Sequence, residues 1–151
     1  MTKNQVEEYL TGLENKLLNS ERIEIDFSRN WANTFPAEAA VYIFRRENEL
    51  VYVGETGSLK ERMLDILNTK NHSLRRNFGN HHFCGHPMYE KPSSKKSFCI
   101  EIELLLNQNM SKELTLSYLL ADLGRKELEE RLFGKHKPQY AIKGKRGSKK
   151  L

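Results

Sequence analysis

Ala40-Val41-Tyr42-Ile43-Phe44 and Val51-Tyr52-Val53-Gly54, separated by Arg45-Arg46-Glu47-Asn48-Glu49, decide how this chain is read. Each flank is short and rich in β-branched and aromatic residues, and the segment between them is polar and turn-like. The stretch therefore reads as a β-hairpin. Glu55-Thr56-Gly57-Ser58-Leu59-Lys60-Glu61-Arg62 follows directly. Ser58 suits a helix N-cap, and Glu61 three residues on has the spacing of a capping box. The second strand thus runs into a helix that carries Arg62, with Met63, Ile66 and Leu67 able to face the sheet. Residues equidistant from a hairpin turn lie across from each other. Tyr42 and Tyr52 can therefore share one face, and the helix can bring the Arg62 guanidinium up beside them.

Further along, Leu114 to Leu120 reads as a third core strand. Gly124 to Phe133 reads as a helix stopped by Gly134 and Pro138. Glu129 precedes Pro138 by nine residues, and Pro138-Gln139-Tyr140 follows. Ala40-Val41-Tyr42, Tyr52-Val53-Gly54, Arg62 and Glu129 with Pro138-Gln139-Tyr140, in this order and at these spacings, resemble the GIY-YIG nuclease superfamily over about residues 40–141. The departures are Ala40 for the first glycine, Glu55 where some members carry lysine, and Ala141 for the closing asparagine. In the family that asparagine helps hold the active site together. The resemblance implies an α/β chain of the α+β type. A small central antiparallel sheet of about three strands is flanked by helices, with an added N-terminal helix. It divides the chain into a helical extension over 1–36, a nuclease-like domain over 37–143 and a basic tail over 144–151.

The same resemblance implies a metal-dependent endonuclease that hydrolyses phosphodiester bonds by a one-metal mechanism, with Mg²⁺ or Mn²⁺ as cofactor. Repair, restriction and mobile-element roles share this core. Chemically, such hydrolysis needs a positioned water, charge stabilisation on the phosphate and a neutralised leaving oxygen. Glu129 is the metal ligand in this scheme, since Mg²⁺ is content with one or two carboxylates plus waters. Arg62 offers a fork of donors to phosphate oxygens. Tyr42 or Tyr52 can hydrogen-bond the attacking water, and the choice between them stays open. Glu130 becomes the ligand if the register shifts by one, but adjacent helix residues point about 100° apart and cannot serve one site. Other readings of these residues are ordinary cross-strand aromatics for the tyrosines and a surface ion pair of Arg62 with Glu61 or Asp65.

His72-Ser73-Leu74-Arg75-Arg76-Asn77-Phe78 is a second candidate, read as a short helix. His72 is a catalytic candidate that could steer water or contact phosphate, and Arg75 and Arg76 are nucleic-acid contacts. The alternative is a solvated basic helix. Gly79 to Pro92 reads as a long surface loop. His81, His82, Cys84 and His86 are zinc ligand types, but their spacing does not suit a usual structural site. A polar loop touching substrate is the better reading.

Charge supports a polyanion partner. The chain of 151 residues carries a net charge of +5. Residues 1–50 hold six Lys/Arg against nine Asp/Glu, and residues 51–100 hold eight against four. The last 17 residues, from Lys135, hold seven Lys/Arg and no acid. Lys143, Lys145 and Arg146 are therefore candidate nucleic-acid contacts beside Arg75 and Arg76, because each phosphate neutralised releases a counterion. The partner expected is nucleic acid, with DNA preferred over RNA only through the family resemblance. A protein partner or a homodimer is compatible with the chain.

No apolar run reaches the ~20 residues needed to span a bilayer. The N-terminus lacks the apolar core of a signal peptide, and Cys84 and Cys99 are too few for a disulfide scaffold. The expected location is cytoplasmic.

Val6, Leu10, Leu13 and Leu17 fall on one stripe of an amphipathic helix over 4–18, read as packing on the domain. Residues 22–27 alternate as a short strand would. Asn30 to Pro36 reads as a connecting loop, with Trp31 as a hydrophobic plug. Phe98 to Leu104 fits a strand by alternation and a helix by its Ile100/Leu104 spacing, and both remain open. A nucleic-acid-binding protein on the same fold with weak or lost catalysis is the alternative function, for which Ala141 speaks. A protein-interaction module using the N-terminal helix has only the amphipathic stripe behind it.

Overall fold

The turn between the two aromatic strands is only two residues long. In the computed structural model, which describes residues 1–141, strand β2 covers Ala40–Arg46 and β3 covers Glu49–Thr56. Glu47 takes a left-handed backbone (φ 53°), and this lets Glu47-Asn48 close the hairpin. Arg45, Arg46, Glu49 and Leu50 thereby join the ladder, so both strands are longer than the sequence suggested. A bulge follows Phe44: Phe44 pairs with Tyr52 and Arg45 with Leu50, so Val51 is passed over. The Val51 carbonyl instead accepts the Tyr140 N–H at 2.9 Å.

Two more strands complete an antiparallel sheet. The short β1 (Ile23–Glu24) pairs with β4 (Thr115–Leu120), and β4 pairs with β2, giving the order β1-β4-β2-β3. The expected three core strands are β2, β3 and β4, and the alternating 22–27 segment supplies the fourth.

Both faces of the sheet are covered, which explains why its strands are apolar on both sides. Tyr42, Phe44 and Tyr52 project into one core. It is filled by α3 (Leu59–Asp65), α4 (Ser73–Phe83) and α5 (Ile100–Glu113) through Met63, Ile66, Leu74, Phe78, Ile102 and Leu106. Val41, Ile43, Leu50 and Val53 project into the other. There they meet Leu10, Leu13 and Leu17 of α1 (Lys3–Leu18) and Leu128 and Leu132 of α6 (Arg125–His136). Thr2 caps α1 through a capping box with Gln5. Glu14 on α1 is buried, and its carboxylate accepts from Arg131 at 2.8 Å and Lys135 at 2.6 Å of α6. The N-terminal helix is thus tied to the last one by a paired buried charge.

Several expectations are corrected. Asn30–Pro36 is not all loop: Arg29–Ala32 form a one-turn helix, α2, capped by Ser28, and Trp31 packs edge-on against Phe35 at 4.8 Å. α4 runs on to Phe83, so Gly79–Phe83 are helical rather than loop. Gly79 belongs there because a Cβ would sit 2.4 Å from the Phe98 ring. Within Phe98–Leu104, helix wins over strand from Ile100, the start of α5 after its N-cap Cys99; the buried face is Ile102, Leu106 and Met110, while Ile100 and Leu104 lie exposed. α6 passes through Gly134 and ends at His136, where Lys137 turns left-handed (φ 46°). Lys143, Lys145, Arg146 and the basic tail lie outside the described residues. Among those described, no helix is long and apolar enough to cross a membrane.

Candidate active site

Tyr42 lies across its neighbour strand because that neighbour has no side chain. It pairs with Gly54, and a Cβ on Gly54 would stand 2.4 Å from Tyr42 Cζ and Oη. The glycine of the second tripeptide is therefore a seat for the tyrosine of the first. Tyr52 stacks beside it, with ring centroids 6.1 Å apart and planes at 26°. The two phenols share a face, as expected, although they sit diagonally because Tyr52 pairs with Phe44. Both are buried, Tyr42 at 1% exposure and Tyr52 at 6%.

His72 meets this pair from the N-terminus of α4. Its ring is fully buried, with Nδ1 accepting the Leu74 N–H at 3.1 Å as the helix N-cap. Nε2 lies 3.0 Å from Tyr42 Oη. An imidazole nitrogen that accepts carries no proton, so the neutral ring bears its hydrogen on Nε2 and donates it to Tyr42. Burial pushes the His72 pKa well down, and nearby Arg62, Arg76 and Arg75 push the same way, which keeps the ring neutral. Both ring nitrogens of His72 are thus engaged, one by the helix end and the other by Tyr42, so in this arrangement it meets the site through Tyr42 rather than through a phosphate. The next residue, Ser73, was not foreseen. Its Oγ is 3.0 Å from Tyr52 Oη, and only its position beside His72 could have signalled this.

Arg62 closes the cluster. Its Nε donates to Tyr42 Oη at 3.3 Å, and Nη1 donates to Asp65 Oδ2 at 3.0 Å and to the Asn71 carbonyl at 3.1 Å. The side chain keeps 28% exposure and faces solvent above the buried tyrosine. Ser58 holds the helix in place as predicted, accepting the Glu61 N–H at 3.4 Å. Burial pushes the Tyr42 pKa well up and Tyr52 adds to this, while Arg62 opposes both. For Arg62, burial alone lowers the pKa, but Tyr42, Tyr52 and Asp65 outweigh it and raise it.

Glu129 sits on α6, half-buried, directly after buried Leu128. Two ties orient that helix along β3. Arg125 Nε donates to Glu55 Oε2 at 2.7 Å, and Tyr140 N–H bonds Val51 beyond the helix end. α6 thus runs opposite to β3, and Glu129, one turn after Arg125 in the same helical row, belongs to the stretch between those ties. Glu55, which stands where some family members carry lysine, serves as the anchor for Arg125, as does Asp122. Glu130 is also half-buried. Among the described residues no three His, Cys, Asp or Glu side chains cluster as a metal cage. Glu129 is a carboxylate of the hard-oxygen kind that Mg²⁺ and Mn²⁺ accept. His82 stacks on Phe78 at 3.9 Å, with Nδ1 against the Phe78 carbonyl and Nε2 3.4 Å from Glu113.

The two arginines of α4 part company. Arg75 is corrected from a nucleic-acid contact to a core residue. It is 1% exposed, ion-paired to Glu103 at 2.8 Å and bonded to Asn107 at 2.6 Å, with its guanidinium 5.2 Å from the Phe27 ring. The helical face that carries it points at α5. Arg76 is half-buried and donates to the carbonyls of Thr69 and Lys70 at 3.1 and 2.9 Å.

No protein-family model and no curated protein matches the chain. Solved structures similar to it are GIY-YIG N-terminal endonuclease domains of UvrC from Thermotoga maritima. A point mutant bound to its catalytic divalent cation is 21% identical, covers 76% of this chain and 93% of that one, and gives a TM-score of 0.43. The magnesium-bound domain is 17% identical, covers 93% of this chain and 100% of that one, and gives a TM-score of 0.39.

Proposed function

We propose that this chain is a divalent-metal-dependent endonuclease that hydrolyses phosphodiester bonds in DNA by a one-metal mechanism. The observation that carries the reading is the hydrogen-bonded cluster of Tyr42, His72 and Arg62 on the Gly54 seat. A phenol buried under a guanidinium and fixed by a neutral imidazole is more than a packed core needs. Such perturbed groups concentrate at functional sites.

The roles follow from hydrogen-bond directions. Tyr42 Oη accepts from His72 Nε2–H and Arg62 Nε–H, so its own hydrogen points away from both, and the Tyr52 hydroxyl is a further hydrogen-bond partner of the phenol. With its pKa raised by burial, Tyr42 rests as the neutral phenol and orients the attacking water. The same two donors stabilise the phenolate that would take the water's proton once the positive charge of a bound cation favours ionisation. Tyr52, braced by Ser73, stacks against Tyr42 and supports its orientation. Arg62, the exposed member, donates to non-bridging phosphate oxygens and stabilises the charge that builds there. Glu129 is the residue that would hold the cation. When bound, Mg²⁺ or Mn²⁺ supplies Lewis-acid charge at the scissile phosphate. Residues 37–143 carry this machinery in the proposed division of the chain, and Arg76, Lys143, Lys145 and Arg146 add positive charge for the strand.

A nucleic-acid-binding protein with weak or lost catalysis is the second reading, favoured by Ala141 at the position of the family's asparagine. Incubation of the purified protein with plasmid, branched DNA and RNA, with and without Mg²⁺ or Mn²⁺, separates the two. Metal-dependent scission of DNA is expected. Binding without scission under every condition favours the second reading, and no binding at low salt removes both.

A further inference from the structure

The face of the hairpin that carries Tyr42 continues beyond the catalytic cluster. Side chains on a strand alternate, so Tyr42, Phe44 and Arg46 point the same way. Four residues along a strand place Arg46 about 13 Å from Tyr42. There the guanidinium is held on a ledge. Nη1 donates to Tyr140 Oη at 3.4 Å, and Nη2 donates to Gln139 Oε1 at 3.1 Å and to Glu49 at 2.6 Å. Gln139 Nε2 reaches the exposed His81 ring at 3.4 Å.

The ledge is structurally continuous with the cluster. Asn77, one turn after Ser73 on α4, donates to the Tyr140 carbonyl at 2.8 Å. The Tyr140 N–H bonds Val51, the neighbour of Tyr52. One seam between α4 and β3 thus carries the tyrosines at one end and Arg46, Gln139 and His81 at the other.

We propose that Arg46, with Gln139 and His81, forms a backbone subsite for the nucleic-acid strand flanking the scissile phosphate. The subsite rests on the nucleic-acid reading above and deepens it. Arg46 keeps 32% side-chain exposure, while Gln139 and His81 are exposed. A fork pinned by Tyr140 and Gln139 is preorganised, so little rotamer freedom remains to be lost when it meets a phosphate. Its ion pair with Glu49, itself 59% exposed, is of the solvent-facing kind that competes weakly. The subsite therefore serves a phosphate that flanks the one under Arg62 rather than the scissile phosphate itself.

The test is fluorescence anisotropy of a labelled DNA duplex in chelator across a salt series, which needs no cleavage. Arg46→Met should weaken binding about tenfold and lower the salt slope by about 0.9, the contribution of one phosphate. Gln139→Glu, a change at an exposed position, should also weaken binding and decides the matter if Arg46→Met does not fold. Lys3→Met, on the helix of the opposite face, removes the same charge and should change neither. If both variants bind as Lys3→Met does, the subsite is overturned while the nuclease reading stands. If the wild-type protein binds no DNA at low salt, both fall. Weakened binding in a wild type that never cleaves keeps the subsite and overturns only catalysis.

Discussion

Tyr42 and Gly54 are an interlocked pair: the phenol of one occupies the space where a side chain of the other would begin. Gly54→Ala should push the ring off its seat, destabilise the fold by about 1–3 kcal/mol as overpacking does, and break the hydrogen bonds to His72 and Arg62. Denaturant melts and cleavage assays check this together. An alanine variant with wild-type stability and rate would show that the seat is not needed.

Arg62→Ala should lower stability by only about 1–2 kcal/mol, for the lost bonds to Tyr42 and the Asn71 carbonyl, because its pair with Asp65 is a surface one. Cleavage should fall about 10²–10³-fold, as when one preorganised donor is lost. Tyr42→Phe should lose most turnover too. A folded Arg62→Ala protein that cuts at the wild-type rate removes Arg62 from the chemistry.

His72 gives an acid-side signature. Its folded pKa lies well below the ordinary value near ~6.5. Between the two values the unfolded chain binds the extra proton, so this contribution to stability is complete above about pH 6.5 and shrinks as pH falls below it. His72→Asn keeps an N-cap acceptor and removes the titration. Its melting temperature should fall less between pH 7 and 5 than that of the wild type. Tyr42, with its pKa raised, acts in the opposite sense: its contribution is complete below about pH 10 and declines above it.

Glu129→Gln should lose Mn²⁺ binding, read by calorimetry or electron paramagnetic resonance, and with it cleavage. DNA affinity should persist, since removing a negative charge cannot weaken attraction to phosphate. Glu130→Gln should bind Mn²⁺ and cut normally. The reverse pattern moves the metal site by one residue.

Arg75→Ala should unfold the protein more readily by about 3–5 kcal/mol, because it leaves Glu103 in a buried pair without its partner. Adding Glu103→Gln should restore part of that loss. In the variant that still folds, the salt slope of DNA binding should match the wild type. A slope lowered by about 0.9 would return Arg75 to the nucleic-acid surface.

The sequence by itself determined the local elements whose cause is local. The β2–β3 hairpin follows from alternating aromatics around a polar turn, and α3 from Ser58 and Glu61 at its start. The stripe of Leu10, Leu13 and Leu17 marks α1. Tyr42 and Tyr52 share a face because a strand alternates with period two, and that parity survives the unforeseen bulge at Val51. Tertiary structure decided what depends on neighbours remote in the chain. Arg75 and Arg76 are indistinguishable as sequence, yet adjacent helix positions diverge by about 100°. One turns inward to Glu103 of α5 and the other stays at the surface. Gly79 reads as a helix breaker until the Phe98 ring fills its missing side chain. Phe98–Leu104 satisfies both periods, and only the buried face of α5 selects the helix. His72 carries no sign in the sequence that its two nitrogens are divided between a helix cap and a tyrosine 30 residues away. That division exists only once α4 is packed against the sheet.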